Sequence, residues 1–271
     1  MTIAYDQMRR MAAHEARSEI RGGSYRRHTA GLAHGCLQAN LVILPQAQAL
    51  DFMRFCQRNP KPCPLVGVTD TGDPFFRTLG RDIDIRSDLP SYNIYREGRL
   101  DAQTGDIAAL WTDDMVGFAL GCSFTFEKAL AAAGIPMWHV ENDTTVPMFR
   151  TTIPLVPAGP FGGTMVVSMR ALPRERAGDA AEISGRYPLA HGAPVFVGDP
   201  AEIGITDLSR PDWGDPAPLG ADQVAGFWAC GVTPQSAALT AGLPLVITHT
   251  PGHMLITDVP EDAEVPVLAL A

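Results

Sequence analysis

Three short segments carry side chains that could do acid–base or nucleophilic chemistry. GCSFTFE contains Cys122 and Glu127, and ACGVTPQ contains Cys230. ITHTPGH places His249 and His253 on either side of a Thr-Pro-Gly turn. A carboxyl group or an imidazole can exchange protons with a substrate, and a thiolate can attack one. These five residues are the candidate catalytic residues.

The same segments offer candidates for substrate binding. The start of a helix presents free backbone N–H groups and a positive dipole end, which together attract anions. Arg150, among hydroxyl groups and near a Gly-Pro loop, could hold a carboxylate with both arms of its guanidinium. The candidate binding residues are Arg150, Ser123, Thr125, Thr233, Gln235 and His191. The candidates of both kinds also have purely structural interpretations. Glu127 could simply favour the first turn of a helix, the cysteines could be packed thiols, and the histidines could hydrogen-bond the loop backbone.

Two of these segments belong to a pair of similar stretches. GCSFTFEKALAAAGIP, residues 121–136, aligns without gaps with ACGVTPQSAALTAGLP, residues 229–244. Each predicts a strand, a turn with a cysteine, a helix capped by Thr125 or Thr233, a glycine exit and a second strand. A strand–helix–strand unit usually forms a parallel, right-handed crossover. The chain is therefore predicted to use one βαβ unit twice, unless the likeness reflects only the abundance of alanine and glycine.

The remaining elements follow from apolar spacing and from glycine and proline positions. The pattern predicts helices over 4–20, from Pro45 to about residue 59, and over 174–186; strands over 65–69, 137–140, 165–169, 195–198 and 245–248; and a hairpin over 92–99. Proline- and glycine-rich stretches at 147–165 and 199–222 are candidate domain crossings. We therefore expect an α/β (α+β) protein of two domains with a parallel or mixed sheet. Residues 1–140 plus 222–271 would form a discontinuous α/β domain, and residues 141–221 a smaller inserted α+β domain.

Composition narrows the class of protein. The chain has 271 residues, 46% of them hydrophobic, and a net charge of −9. That apolar content excludes a disordered chain, and the lack of a basic patch argues against a nucleic-acid partner. The sequence contains no apolar run of about 18 residues, so it predicts no membrane span. The first residues lack the apolar centre of a secretory signal.

Cysteine usage and the missing motifs bear on location and cofactors. The five cysteines are scattered and form no CxxC pair, which favours reduced thiols in a cytoplasmic protein. GxSxG, GxGxxG and HExxH patterns do not occur, so we expect no cofactor and no metal site. A homodimer is expected only because soluble metabolic enzymes are commonly symmetric oligomers.

Several longer motifs resemble a known family. FCQRNPKPCPL (55–65), GCSFTFE (121–127), GPFGGTMVVSMR (159–170), FWACGVTPQ (227–235) and ITHTPGHMLITD (247–258) resemble, in this order, the bacterial hydro-lyases of the D-glutamate cyclase family. The resemblance runs from about Arg17 to Asp258. His34 and Thr250 depart from the family pattern, outside the candidate residues. The resemblance implies two α/β-type domains and elimination of water; a cyclase relative converts D-glutamate to 5-oxo-D-proline.

The candidate roles rest on what such chemistry needs rather than on the resemblance. His249 or His253 would deprotonate the amine, and protonated Glu127 would release water. The helix start near Thr125 or Thr233 would stabilise the oxyanion, and Arg150 would hold the α-carboxylate. Removal of a β-hydroxyl from a small hydroxy acid would use similar groups. Two other classes remain open: a non-catalytic module that binds an acidic metabolite, and an enzyme with a cysteine nucleophile.

Overall fold

The computed structural model describes residues 2–142 and 144–264. It contains two antiparallel sheets. Sheet I is formed by β1 (Cys36–Pro45), β2 (Leu65–Val68), β3 (Tyr92–Arg96), β4 (Arg99–Thr104), β5 (Met115–Gly121), β10 (Val246–His249) and β11 (Leu255–Pro260). Sheet II is formed by β6 (Met148–Pro154), β7 (Thr164–Pro173), β8 (Phe196–Val197) and β9 (Gln223–Ala229).

Seven α-helices accompany the sheets within the described ranges. They are α1 (Tyr5–Met8), α2 (Ala13–Arg21), α3 (Gln46–Arg58), α4 (Phe124–Ala132), α5 (Trp138–Glu141), α6 (Ala177–Gly185) and α7 (Val232–Thr240). Short 3-10 turns occupy 108–110, 174–176, 188–190 and 200–203. The predicted α+β content is therefore confirmed.

Strand β1 is the centre of sheet I. Its apolar residues are buried on both faces, as the continuous run LVIL requires. It pairs with β5 along seven residues on one side, and with β10 and β11 on the other. In sheet II the long strand β7 lies between β6 and β9.

The hydrophobic core separates into layers. One cluster joins both sheets through residues such as Phe118 of β5 and Val167 of β7, together with Phe52 of α3. A second cluster covers the other face of sheet I, where Leu41 and Ile43 lie. A third packs Phe126 of α4 against Leu172 and Trp228 of sheet II, alongside residues of α6.

The predicted parallel crossover is wrong, because every strand pairing within the described residues is antiparallel. The second predicted unit joins two different sheets, and in the first unit α5 stands where the second strand was predicted. The chain leaves sheet I through β5 and α4 and enters sheet II at β6; it leaves β9 through α7 and returns to sheet I at β10. Since the observed strands before and after each helix never share a sheet, the crossover rule does not apply to them.

Most of the predicted helices and strands are confirmed, in contrast to the predicted strand pairing. The hairpin, the helix after Pro45 and the strands at 65, 165 and 195 are confirmed within a few residues. Gly134 and Gly242 adopt φ values of +75° and +62°, the left-handed helix exits that their positions predict. The predicted helix over 4–20 is broken between α1 and α2, and the predicted strand at 137–140 contains α5 instead.

Sheet II is built from one continuous stretch of chain, 148–229, inserted between the two parts of sheet I. The two-domain boundaries proposed from the sequence stay a prediction. The described residues contain no helix that is both long enough and apolar enough to cross a bilayer.

Candidate active site

The two similar helices begin side by side. Nδ2 of Asn40 donates to the carbonyl oxygen of Gly121 at 3.0 Å, at the end of β5 just before α4. A Cβ added to Gly231, which precedes α7, would lie 2.1 Å from the same Nδ2 atom. Cys122 and Cys230 are also close enough for the charge of one thiolate to raise the pKa of the other thiol. Two of the segments singled out in the sequence, those that begin α4 and α7, are therefore neighbours.

Glu127 is buried on α4 and is surrounded by cationic and donor groups. Nε of Arg170 donates to Glu127 Oε1 at 3.1 Å, a second guanidinium nitrogen also contacts it, and His139 Nε2 lies 3.0 Å from the same oxygen. Burial alone would raise the pKa of Glu127, but His139 and Arg170 together lower it to about 2. The expectation of a protonated Glu127 is therefore wrong: the group is a carboxylate at neutral pH.

Arg170 is the buried arginine of this site. It lies on β7 with its guanidinium 5.2 Å from the ring centres of both Phe126 and Trp228. It also donates to the hydroxyl oxygens of Ser168 and Ser123. These contacts use the planar fork of arginine, which a lysine would not reproduce.

Arg150, which the sequence suggested as the carboxylate clamp, lies elsewhere. Its side chain is 60% exposed, pairs with Asp212 at 3.4 Å and lies over the Trp213 ring. It is not among the residues that line the cavity described below. Both arginines lie on strands of sheet II, and the sequence alone does not show which strand faces the helices.

A cavity of about 660 Å³ lies beside Glu127. The N-terminal segment, the first turns of α4, helix α5 and the 251–253 turn form its walls. Its charged lining residues are Arg9, Arg27, Lys128, Glu127 and Glu261. Positive groups thus outnumber negative ones in the wall, although the chain carries a net charge of −9. Such a lining attracts a small anion.

His253 lines this cavity and His249 does not. Nδ1 of His253 lies 3.1 Å from the carbonyl oxygen of Pro251, which can only accept a hydrogen bond. The neutral ring therefore carries its proton on Nδ1 and keeps a lone pair on Nε2. That arrangement suits a base.

His249 is held inside the protein as a neutral imidazole. The backbone N–H of Leu41 donates to its Nδ1 at 3.1 Å, and the Gln235 side-chain nitrogen lies 2.9 Å from the same atom. Burial, helped by the charge of His253, lowers the pKa of His249 to about 4. Of the two histidines, the geometry favours His253 for proton transfer.

The predicted N-capping threonines are not caps. Helices α4 and α7 begin at Phe124 and Val232, so Thr125 and Thr233 lie inside the first turns. The Thr233 hydroxyl bonds both backbone groups of Val166 on β7. Thr125 lines the cavity, but its hydroxyl oxygen is buried, and within the described ranges that oxygen has no hydrogen-bond partner.

The buried thiols are poor nucleophiles. Burial raises the pKa of Cys122 to about 12 and that of Cys230 to about 11, despite their places at helix starts. The remaining candidate, His191, is also buried: its Nδ1 donates to the Lys61 carbonyl at 2.9 Å, and burial lowers its pKa to about 4. It does not line the cavity. Among the described residues, no three His, Cys, Asp or Glu side chains are arranged to hold a metal ion.

Sequence reasoning missed three residues of this site: Arg170, His139 and Gln38. Arg170 had a visible signal, because it interrupts the apolar strand MVVSMRAL, and an arginine in such a run needs a buried partner. His139 and Gln38 had none. Their roles depend on how the N-terminal segment and α5 fold over α4.

The cavity, in whose wall cationic side chains outnumber carboxylates, is built on an α+β scaffold. The profile of the D-glutamate cyclase family matches residues 116–258, and the chain belongs to this family. That match covers α4, α5 and the 251–253 turn, and it leaves out the N-terminal wall of the cavity.

Full-length relatives extend the similarity to the N-terminal wall. A protein of Ruegeria pomeroyi is 66% identical over 100% of this chain and 98% of its own length. One from Dinoroseobacter shibae is 63% identical over 97% of this chain and 88% of its own, and one from Rubrobacter xylanophilus is 57% identical over 91% and 95%. All three carry the name "putative hydro-lyase". A solved nitrogen repressor-like protein from Methanococcus jannaschii covers 93% of this chain and 99% of its own, with 10% identity and a TM-score of 0.41.

Proposed function

We propose that this protein is a hydro-lyase that removes water from a small dicarboxylic amino acid, with D-glutamate cyclised to 5-oxo-D-proline as the specific reaction. The observation that carries the proposal is the cavity itself. It combines a cationic wall, the ionised Glu127 and an imidazole with a free lone pair, which are the groups that a dicarboxylate with one ammonium group needs. Family membership and the names of the relatives support the same class of reaction.

Binding follows from the charges of the wall. Arg9, Arg27 and Lys128 attract the two carboxylates. The Glu127 carboxylate attracts the ammonium group. Held in this way, the chain of the substrate is folded so that its amine approaches its own distal carboxyl group, and ring closure becomes an intramolecular step.

The chemical step needs two proton transfers. His253 Nε2 takes a proton from the ammonium group, and the amine attacks the distal carboxyl carbon to form a C–N bond. The negative oxygen of the tetrahedral intermediate lies among the cationic and N–H groups at the start of α4. A second proton leaves the nitrogen as the C–O bond breaks. Both protons end on the departing carboxylate oxygen, which leaves as water.

This assignment changes the role of Glu127 from acid to anchor. A carboxyl group with a pKa of about 2 cannot supply a proton at neutral pH. It can hold a cation, and His253 then carries the protons in both directions. The thiol alternative is disfavoured by the raised pKa values of Cys122 and Cys230.

The experiment is NMR of the purified protein with D-glutamate and, separately, L-glutamate. We expect 5-oxoproline to form from the D compound, and a His253→Asn variant to lose at least about a hundredfold of that rate. His14→Asn is the matched control, since His14 is exposed and does not line the cavity. Binding of D-glutamate without any product would favour the non-catalytic binding module, and no binding would remove both interpretations.

A further inference from the structure

The turn that carries His253 is tied to the N-terminal wall of the cavity by one buried threonine. Residues 250–253 form a β-turn in which the backbone N–H of His253 donates to the Thr250 carbonyl at 2.9 Å. Pro251 and Gly252 occupy the two central positions, and the φ of +84° at Gly252 is the left-handed value that a type II turn requires there. The local sequence therefore explains the turn, but it does not explain what holds the turn against the cavity.

Thr29 holds this turn on both sides of His253. Its backbone N–H donates to the carbonyl oxygen of Gly252 at 2.8 Å. Its hydroxyl oxygen accepts from the backbone N–H of Met254 at 2.9 Å, and the hydroxyl donates to the same Gly252 carbonyl at 3.4 Å. One residue thus binds the backbone immediately before and immediately after His253.

Thr29 is anchored in turn to the centre of sheet I. It is fully buried and is not among the described residues that line the cavity, whereas Arg27, His28 and Ala30 are. Its carbonyl oxygen accepts from Nε2 of Gln38 on β1 at 2.9 Å. Thr29 therefore lies behind the cavity wall and joins the segment that carries Arg27, the central strand and the 250–253 turn.

A base works only when its ring is aimed at the proton that it removes, and a displacement of about 1 Å costs on the order of a hundredfold in rate. We propose that Thr29 is a positioning residue: its hydroxyl fixes residues 252–254 so that Nδ1 of His253 stays bonded to the Pro251 carbonyl and the lone pair on Nε2 stays available to the substrate. The inference rests on the proposed function, because it takes His253 as the base. It gives the N-terminal segment a role in the reaction through a residue that never touches the substrate.

The kinetic test compares Thr29→Val, which removes the hydroxyl with little change of shape, with Thr29→Ser, which keeps it. In Thr29→Val, kcat for 5-oxoproline formation from D-glutamate should fall at least about tenfold, with KM changed by less than about threefold. The base is displaced in this variant, while the groups that attract the carboxylates remain. Thr29→Ser should keep kcat within about threefold of the wild-type value.

A second measurement reports on the ring of His253 without any substrate. Long-range ¹H–¹⁵N NMR shows which ring nitrogen carries the proton, and the signal of His253 is identified by its absence in His253→Asn. At about pH 8, where an ordinary imidazole is neutral, the wild type and Thr29→Ser should carry the proton on Nδ1, which donates to the Pro251 carbonyl. Thr29→Val should show a mixture of the two tautomers.

Thr257→Val is the matched control. Thr257 is as fully buried as Thr29, and its hydroxyl also bonds two backbone groups: it donates to the Leu37 carbonyl at 2.7 Å and accepts from the Val259 N–H at 3.2 Å. It is not among the described residues that line the cavity. Chemical denaturation should show a similar loss of stability in both valine variants, while Thr257→Val keeps the wild-type kcat and the wild-type tautomer of His253.

Four results would overturn the role of Thr29: a neutral His253 with its proton on Nε2 in the wild type, an unchanged tautomer in Thr29→Val, an unchanged kcat in that variant of an active protein, or an equal loss of kcat in Thr257→Val. The first result needs no variant, so it decides the question even if Thr29→Val does not fold. Failure of the proposed function looks different. No form of the protein would then make 5-oxoproline, yet the tautomer of His253 would still change in Thr29→Val.

Discussion

Glu127 and Gln235 occupy the same position in two similar helices, yet they meet opposite surroundings. Glu127 contacts Arg170 and His139 and lines the cavity. Gln235 contacts the neutral His249 inside the protein. The charged member faces cations and the uncharged member faces a neutral ring, so the two helices share a backbone pattern while only α4 supplies the cavity with charge.

Replacing Glu127 with glutamine should destabilise the protein. Arg170, with a side chain 1% exposed, would keep a buried positive charge without its carboxylate. Loss of one partner of a buried pair costs about 3–5 kcal/mol, and chemical denaturation would measure it. Glu182→Gln, which breaks an exposed pair with Arg186, is the control and should cost less than about 0.5 kcal/mol. Similar losses in both variants would show that Glu127 is not an essential counter-charge.

Buried His191 should make the protein less stable in acid. Its pKa is lowered from 6.5 to about 4 in the folded protein, so between those values the unfolded chain binds the proton and the folded one does not. The free energy of unfolding should therefore fall as pH decreases from 6.5 to 4, by about 2–3 kcal/mol for this residue.

His191→Asn tests that contribution. Asparagine tolerates the left-handed backbone of this residue, where φ is +75°. Denaturation curves at pH 7 and pH 4 should lie closer together in the variant than in the wild type. His249, whose pKa is also lowered to about 4, keeps its own contribution in both proteins. An unchanged pH dependence would mean that His191 titrates normally in the folded state.

Native cysteines should react slowly with iodoacetamide. The reagent attacks thiolates, and burial raises the pKa of Cys122 to about 12 and of Cys230 to about 11. Mass spectrometry at pH 7.5 should show little labelling at either residue over a time in which the unfolded chain is fully labelled. Rapid modification of Cys122 in the folded protein, prevented by D-glutamate, would restore the thiol-enzyme hypothesis.

Gly231 should not tolerate a methyl group. Its φ of −64° is ordinary, but an added Cβ would lie 2.1 Å from Asn40 Nδ2 and 2.4 Å from its side-chain carbon. Gly231→Ala should lower the melting temperature by several degrees, as an overpacked core does. In Gly178→Ala the new methyl group on α6 meets nothing within 4 Å, so this control should melt at the same or a higher temperature.

Much of this architecture could be predicted from local sequence, and the rest depended on distant contacts. The glycine exits at Gly134 and Gly242 follow from a backbone requirement that one residue reveals. The pairing of strands does not follow from local sequence. The same strand–helix–strand pattern is compatible with a second strand in the first sheet and with one in another sheet. The choice of Arg170 over Arg150 required knowledge of which strand faces α4.

Arg170 lies on β7 and pairs with Glu127, the carboxylate in the cavity wall, so this ion pair depends on the register of the strand. Ser168, Arg170 and Leu172 lie on the face of β7 toward α4 and α6, whereas Val167 and Met169 belong to the core between the sheets. Since side chains alternate along a strand, a shift of one residue would move the guanidinium into that apolar core. A single inserted or deleted residue in β7 would thus damage folding and the cavity together.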